Sequence, residues 1–171
     1  MSTKLFRDPL SEYPCSASTG DLILVAAGNR LFGSRTADDV RIIDETLPAS
    51  VPVRGAACGL VLGVNGKAKS FVVAGGISGG AYLTNVLVFD LVHKTANVRP
   101  MDLGGLAFPG YAGFGRSFLA FGGADAGQYL DSVLMYGEDG KFRPVKQLSF
   151  KAWSLAAMRV SSELFCKPGK R

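Results

Sequence analysis

The chain has 171 residues and a mass of 18.0 kDa, with 47% apolar and 19% charged residues. That suffices for one domain with its own core and is too apolar for a disordered segment, while no apolar run approaches the roughly 18 residues of a helical membrane span. The net charge of +5 is uneven: residues 141–171 hold eight Lys/Arg against the single acid Glu163, and residues 1–140 hold eleven basic and thirteen acidic groups.

Residues 1–14, MSTKLFRDPLSEYP, lack the apolar stretch of a secretory signal, and Asp8 and Glu12 argue against a mitochondrial presequence. Together with the cysteine usage below, this predicts an intracellular, cytoplasmic setting, with an organelle left open. Pro14–Thr19 is rich in small residues and predicts a strand. Asp21–Gly28 (DLILVAAG) predicts a second strand closing on Gly28, and 37–44 (ADDVRIID) predicts a third after a loop. The series then recurs. Ala56–Leu62 precedes an Asn-Gly hairpin signal at Val64–Lys67. Ser70–Gly76 (SFVVAGG) ends on the pair Gly75-Gly76, and 83–90 (LTNVLVFD) and Ala96–Pro100 follow. Phe108–Gly115, Ser117–Gly123 (SFLAFGG), 130–137 (LDSVLMYG) and Lys141–Val145 repeat it once more. A fourth start is expected at Trp153–Val160, with Glu163–Cys166 behind it.

The terminal glycines Gly28, Gly76 and Gly123 step by 48 and 47 residues, and Val40, Val86 and Val133 step by 46 and 47. Tyr82 and Tyr129 stand 47 apart. Each unit therefore reads as four short antiparallel strands in about 47 residues. One such sheet cannot bury both faces, and stacking successive sheets does. Helical periodicity is absent apart from a weak signal at 149–158, which the repeat register assigns to a strand. The expectation is an all-β single domain over 1–171, a partial, open β-propeller of four-stranded antiparallel blades at about 12–53, 54–103 and 104–148, with a half blade at 149–171.

The pattern resembles the kelch repeat family. The resemblance rests on Gly75-Gly76 and Gly122-Gly123 after apolar strands, on Tyr82 and Tyr129 six residues after each second glycine, and on the strands NVLVFD and SVLMYG that follow. The first unit departs from it, with Ala27-Gly28 in place of the pair and no tyrosine. The tryptophan usual on the fourth strand is replaced by Val98 or Phe142. The resemblance implies a β-propeller in which these glycines and tyrosines are structural, and in which loops at one end recognise other proteins. Three and a half blades would not close a ring, so the open faces are expected to be covered by a second copy or by a larger assembly.

Residues able to carry chemistry are few. Gly76-Ile-Ser78-Gly79-Gly80 spells G-x-S-x-G, with Asp90 and His93 downstream, but the elbow needs a helix next and the sequence there predicts a strand. His93 is the only histidine, which excludes multi-histidine metal sites. Gly59–Ser70 lacks the glycine and hydroxyl positions of a phosphate loop. The carboxylates at 38, 39, 44, 45, 125, 131, 138 and 139 read as solvated turn acids. No catalytic residue, metal or cofactor is expected. Cys15, Cys58 and Cys166 are odd in number and far apart in sequence, which reads as free, buried thiols.

The loop 29–38 breaks the repeat and sets Phe32 between Arg30 and Arg35, a combination typical of interface anchors. Phe108 and Tyr111, in the Gly-rich stretch 104–111, are a second candidate. The functional expectation is a non-catalytic protein–protein interaction or assembly module, with a carbohydrate-active or hydrolytic propeller enzyme as the alternative. Nucleic acid is expected, if at all, only at the basic C-terminal segment, where no aromatic interleaving accompanies the charge.

Overall fold

A computed structural model describes residues 14–20, 22–35, 43–48 and 54–156. They form an all-β structure with no helix among the described residues. The first sheet is a meander of β1 (Cys15–Thr19), β2 (Leu22–Ala27), β3 (Arg30–Arg35) and β4 (Ile43–Thr46). The second contains β5 (Ala57–Leu62), β6 (Ala68–Ala74), β9 (Asn85–Asp90) and β10 (Thr95–Pro100), in that order across the sheet. The third repeats it with β11 (Gly110–Phe114), β12 (Ser117–Phe121), β15 (Ser132–Tyr136) and β16 (Phe142–Gln147). Two small hairpins, β7 (Ile77–Ser78) with β8 (Ala81–Tyr82) and β13 (Ala124–Asp125) with β14 (Gln128–Tyr129), sit between the second and third strands of the later two sheets.

The three sheets stack face to face, and strand alternation dictates how. Along β6, Phe71 and Val73 enter a cluster with Leu24, Leu31 and Leu47 of the first sheet. The intervening Val72 and Ala74 enter a second cluster with Phe118, Ala120, Leu134 and Tyr136 of the third. All four β6 residues are fully buried, which explains why SFVVA reads as a continuous apolar run with no polar face. The inner strands β5 and β6 of the middle sheet thus have no solvent face of their own, while its outer strand β10 is exposed throughout. Phe118 fills the second cluster, stacked on Tyr136 at 5.5 Å and edge-on to Phe142 at 5.8 Å. Gly59 opposite it is required by sterics, because a methyl group there would stand 2.6 Å from Phe118 Cε1 and closer still to two other ring carbons.

The glycine pairs have a backbone role. Gly75 and Gly76 have φ of 68° and 100°, and Gly122 and Gly123 have φ of 57° and 100°, a region closed to most side chains. The turn this makes aims Gly76 N–H at Leu106 C=O (2.7 Å) and Gly123 N–H at Ala152 C=O (2.8 Å), so each pair receives the lead-in of the next unit. The lead-ins are also chained to one another. Phe108 N–H donates to Gly55 C=O (2.6 Å) and Ser154 N–H to Phe108 C=O (2.7 Å). Phe108 and Ser154 both have positive φ, at 50° and 55°. Residues 152–156 therefore repeat the lead-in 106–110 at a step of 46. Trp153–Ala156 carries no strand, and the rest of the fourth start expected at 153–160, together with Glu163–Cys166, lies outside the described residues.

The first unit differs from expectation. The third strand of its sheet is β3 at Arg30–Arg35, which pairs directly with β2 (Ala27↔Arg30, Val25↔Phe32), whereas the constant spacing placed it at 37–44 with Val40 equivalent to Val86. Gly28 and Asn29 form a two-residue hairpin turn, with Gly28 at φ 58°, in place of the inserted hairpin of the other units. The residues so saved lie between β3 and β4. Total spacing is preserved while the internal register moves, and for that reason the period alone placed this strand wrongly. Residues 36–42, Val40 included, lie outside the described set.

Candidate functional site

The first strands β1, β5 and β11 are each an edge of their sheet, and they converge on one groove of about 720 Å³. Its wall comes from Ser16, Ser18 and Thr19 of β1, Cys58 and Leu60 of β5, and Tyr111 of β11, with Leu155 from the fourth lead-in. Small residues recur in these three strands because their backbones approach one another here. Among the described residues no charged side chain lines the groove. Across the described residues, no group of three or more His, Cys, Asp or Glu is placed to hold a metal.

Tyr111 ties the groove together. It is half-buried and packs against both core clusters. Its hydroxyl accepts the Ser16 N–H at 3.2 Å, joining the third sheet to the first. Burial pushes the Tyr111 phenol above its ordinary value, and the hydrogen bond from Ser16 offsets part of that rise. Tyr136 is raised by burial too, with Arg99 nearby opposing the shift.

Cys15 and Cys58 are joined by a disulfide, with Cα atoms 5.7 Å apart, within the range such bonds require. This corrects the expectation of free thiols. Stacking of the first two sheets brings β1 against β5, and a sequence separation of 43 gives no hint of it. Cys166 lies outside the described residues.

The interface candidates are placed as follows. Arg30 and Phe32 are on strand β3 rather than in a loop, which corrects the loop assignment made from repeat spacing. The Arg30 guanidinium carbon lies 5.4 Å from the Phe32 ring centroid, a cation–π distance. Leu31 and Gly33 face the core, so alternation puts Phe32 on the outer face of the first sheet beside Val25, with Ile23 43% exposed. Arg35 closes β3, and its side chain lies outside the described set. The outer face of the third sheet carries Leu119, Phe121 and Met135, all partly buried. Phe108 and Tyr111 lie one on each side of the junction with the fourth lead-in. Phe108 meets Trp153 edge-on at 5.9 Å, and Trp153 stacks on Tyr129 at 5.7 Å with planes 5° apart. Tyr82 backs onto Gly105 of the third unit's lead-in, so the repeated tyrosines do meet the next unit. The Tyr129–Trp153 stack went unnoticed because it joins residues 24 apart across a unit boundary, and only the 46-residue step that equates Trp153 with Ala107 points to it.

The catalytic motifs do not assemble. Ser78 sits on the β7–β8 hairpin with no helix behind it. His93 lies in the turn at the opposite end of β9, roughly 20 Å away at about 3.3 Å per residue. Its Nδ1 meets Asp90 Oδ2 at 3.1 Å in an exposed turn. The His93 backbone N–H, then its ring, then the Val92 N–H hold the Asp90 carboxyl below the usual carboxylate range. This is a turn-stabilising arrangement rather than a charge relay. The expected hairpin at 64–67 is present, with Gly63 N–H bonded to Lys67 C=O and Lys67 N–H to the Asn65 side chain. No helix among the described residues is long and apolar enough to cross a membrane.

No protein-family model matches this chain, and no curated protein matches it.

Proposed function

We propose that the chain is a non-catalytic protein–protein interaction and assembly module, a kelch-like segment of an open propeller completed by a second copy or by a larger complex. The observation that carries this reading is the contrast between faces. The inner strands β5 and β6 of the middle sheet are buried on both sides, while the outward faces of the first and third sheets carry Ile23, Val25 and Phe32, and Leu119, Phe121 and Met135, at partial or full exposure. The outer-edge strands are guarded against indiscriminate pairing by Pro100 on β10 and by Pro144 and Lys146 on β16. The sheet faces have no such guard. Recognition then works by burial of those faces, with the Arg30–Phe32 pair as anchor and the Phe108–Trp153–Tyr129 aromatics as a second contact at the unit ends.

The alternative of a hydrolytic or carbohydrate-active enzyme finds little support, since Ser78 and His93 lie at opposite ends of β9 and the described residues bring no charged side chain into the groove. A protein partner is favoured over nucleic acid, because Arg143, the central basic residue of β16, is engaged by Asp139 at 2.7 Å. An intracellular setting belongs to the same proposal, and the Cys15–Cys58 bond stands against a permanently reducing one.

The test is Phe32→Glu. It places a charge on the outer face and removes no residue from either core cluster. The variant should keep the wild-type circular dichroism and lose associated mass in light scattering. Unchanged association would remove Phe32 from the interface.

A further inference from the structure

We infer that copies of the chain associate head to tail, the outer face of the first sheet in one copy packing on the outer face of the third sheet in the next. The inference rests on the assembly role proposed above and says which face meets which. The polarity of the stack carries it. Positions that step with Gly28, Gly76 and Gly123 face the same way in all three sheets. Phe71, Val73 and Leu87 of the second sheet turn back toward the first, and Phe118, Ala120 and Leu134 of the third turn back toward the second. In the first sheet the same positions, by strand step and by pairing, are Ile23, Val25 and Phe32. The forward-facing positions are Leu24, Ala26 and Leu31 in the first sheet and Val72, Ala74 and Val86 in the second. In the third they are Leu119, Phe121 and Val133. A backward face thus meets a forward face, and the chain makes this contact twice. The two faces left over are one of each kind, a backward face on the first sheet and a forward face on the third.

The two kinds of face differ in shape. The backward face presents a large side chain, Phe71 or Phe118, each fully buried. The forward face presents a small residue to receive it, Ala17 opposite Leu24 and Gly59 opposite Val72. Ala17 packs against the cluster that holds Phe71, and Gly59 lies against the Phe118 ring. The left-over faces carry the same parts. Ile23 takes the Phe71 position and is 43% exposed. Ala112 stands opposite Leu119, and both are partly exposed. A large residue is therefore open at one end of the stack, and the small residue that accepts it is open at the other. Packing two first sheets against each other would instead set bulk on bulk, an arrangement that neither core cluster of the described residues contains. A contact between unlike surfaces is completed by closing into a ring of copies or by running on into a longer stack.

The experiment uses the whole chain and the variants Ile23→Glu and Leu119→Glu, with circular dichroism as the check on folding. Light scattering should show wild type associated and each variant alone near the 18.0 kDa of one chain. An equimolar mixture of the two variants should regain association, because the first keeps its forward face and the second its backward face. Its apparent affinity should be at least about tenfold tighter than that of either variant with itself, and its mass should stop at two chains. Should a variant fail to fold, hydrogen exchange of the wild type at low and high concentration gives the answer, with association slowing exchange at least about threefold in β2 and in β12 alike. A mixture no more associated than its parts, a Leu119→Glu protein that pairs like wild type, or slowing confined to one of the two strands would overturn the head-to-tail contact while leaving self-association standing. A wild type that is a single chain throughout would overturn self-association itself, and the contact with it.

Discussion

Replacing Gly59 by Ala perturbs the packing between the second and third sheets at one atom. The added methyl would lie 2.6 Å from Phe118 Cε1, well inside the 3.4 Å at which ordinary contact begins. Phe118 is fully buried and flanked by Tyr136 at 5.5 Å and Phe142 at 5.8 Å, so the ring has nowhere to retreat. Overpacking costs about 1–3 kcal/mol in ordinary cores, and a site that cannot yield belongs at the upper end, about 3 kcal/mol. For a chain of this size that is a fall in Tm of about 6–12 °C. Urea denaturation followed by circular dichroism measures it. Gly113→Ala is the control, because an added methyl there meets nothing within 4 Å, and it should stay within about 0.5 kcal/mol of wild type. Adding Phe118→Leu to Gly59→Ala should recover part of the loss, with a coupling of about 1 kcal/mol or more. A Gly59→Ala protein as stable as wild type, or strict additivity of the two changes, would refute the stacking of these sheets.

Tyr111→Phe removes the hydroxyl that accepts the Ser16 N–H and should cost about 0.5–1.5 kcal/mol in the same assay. The phenols of Tyr111 and Tyr136 are both raised by burial, so the folded state keeps protons that the unfolded state loses. Their stabilisation is complete below the unfolded value of about 10 and is lost as pH climbs through the higher folded values, and urea melts between about pH 8 and pH 11 should show a shallower decline in Tyr136→Phe than in wild type. Lys94→Ala breaks the exposed ion pair with Glu45. It should cost less than about 1 kcal/mol, with the difference shrinking at high salt; a larger, salt-independent loss would contradict the reading of that pair as a surface contact.

The sequence was most legible where one apolar pattern recurs. The steps of 47 between β9 and β15 and between β10 and β16 locate strands without reference to any contact, and the continuous apolar run of β6 already signals a strand buried on both faces. It was least legible where compensating changes leave the spacing intact. Sheet one exchanges an inserted hairpin for a longer β3–β4 connection, so Phe32 and Arg30 moved from a presumed loop onto a strand. Contacts between units were also hidden. Cys15 meets Cys58, Tyr111 meets Ser16, and Trp153 meets Tyr129 only once sheets stack, and no local rule couples residues so far apart. The Gly59–Phe118 contact shows the same limit: a glycine inside a strand signals close approach, but not what approaches.

Light scattering on the purified chain across a concentration series tests the uncovered outer faces most directly. The account predicts a mass at or above about twice the 18.0 kDa of one chain, falling toward a single chain only where circular dichroism also reports lost structure. A protein that stays folded as a single 18.0 kDa chain at every concentration would contradict it.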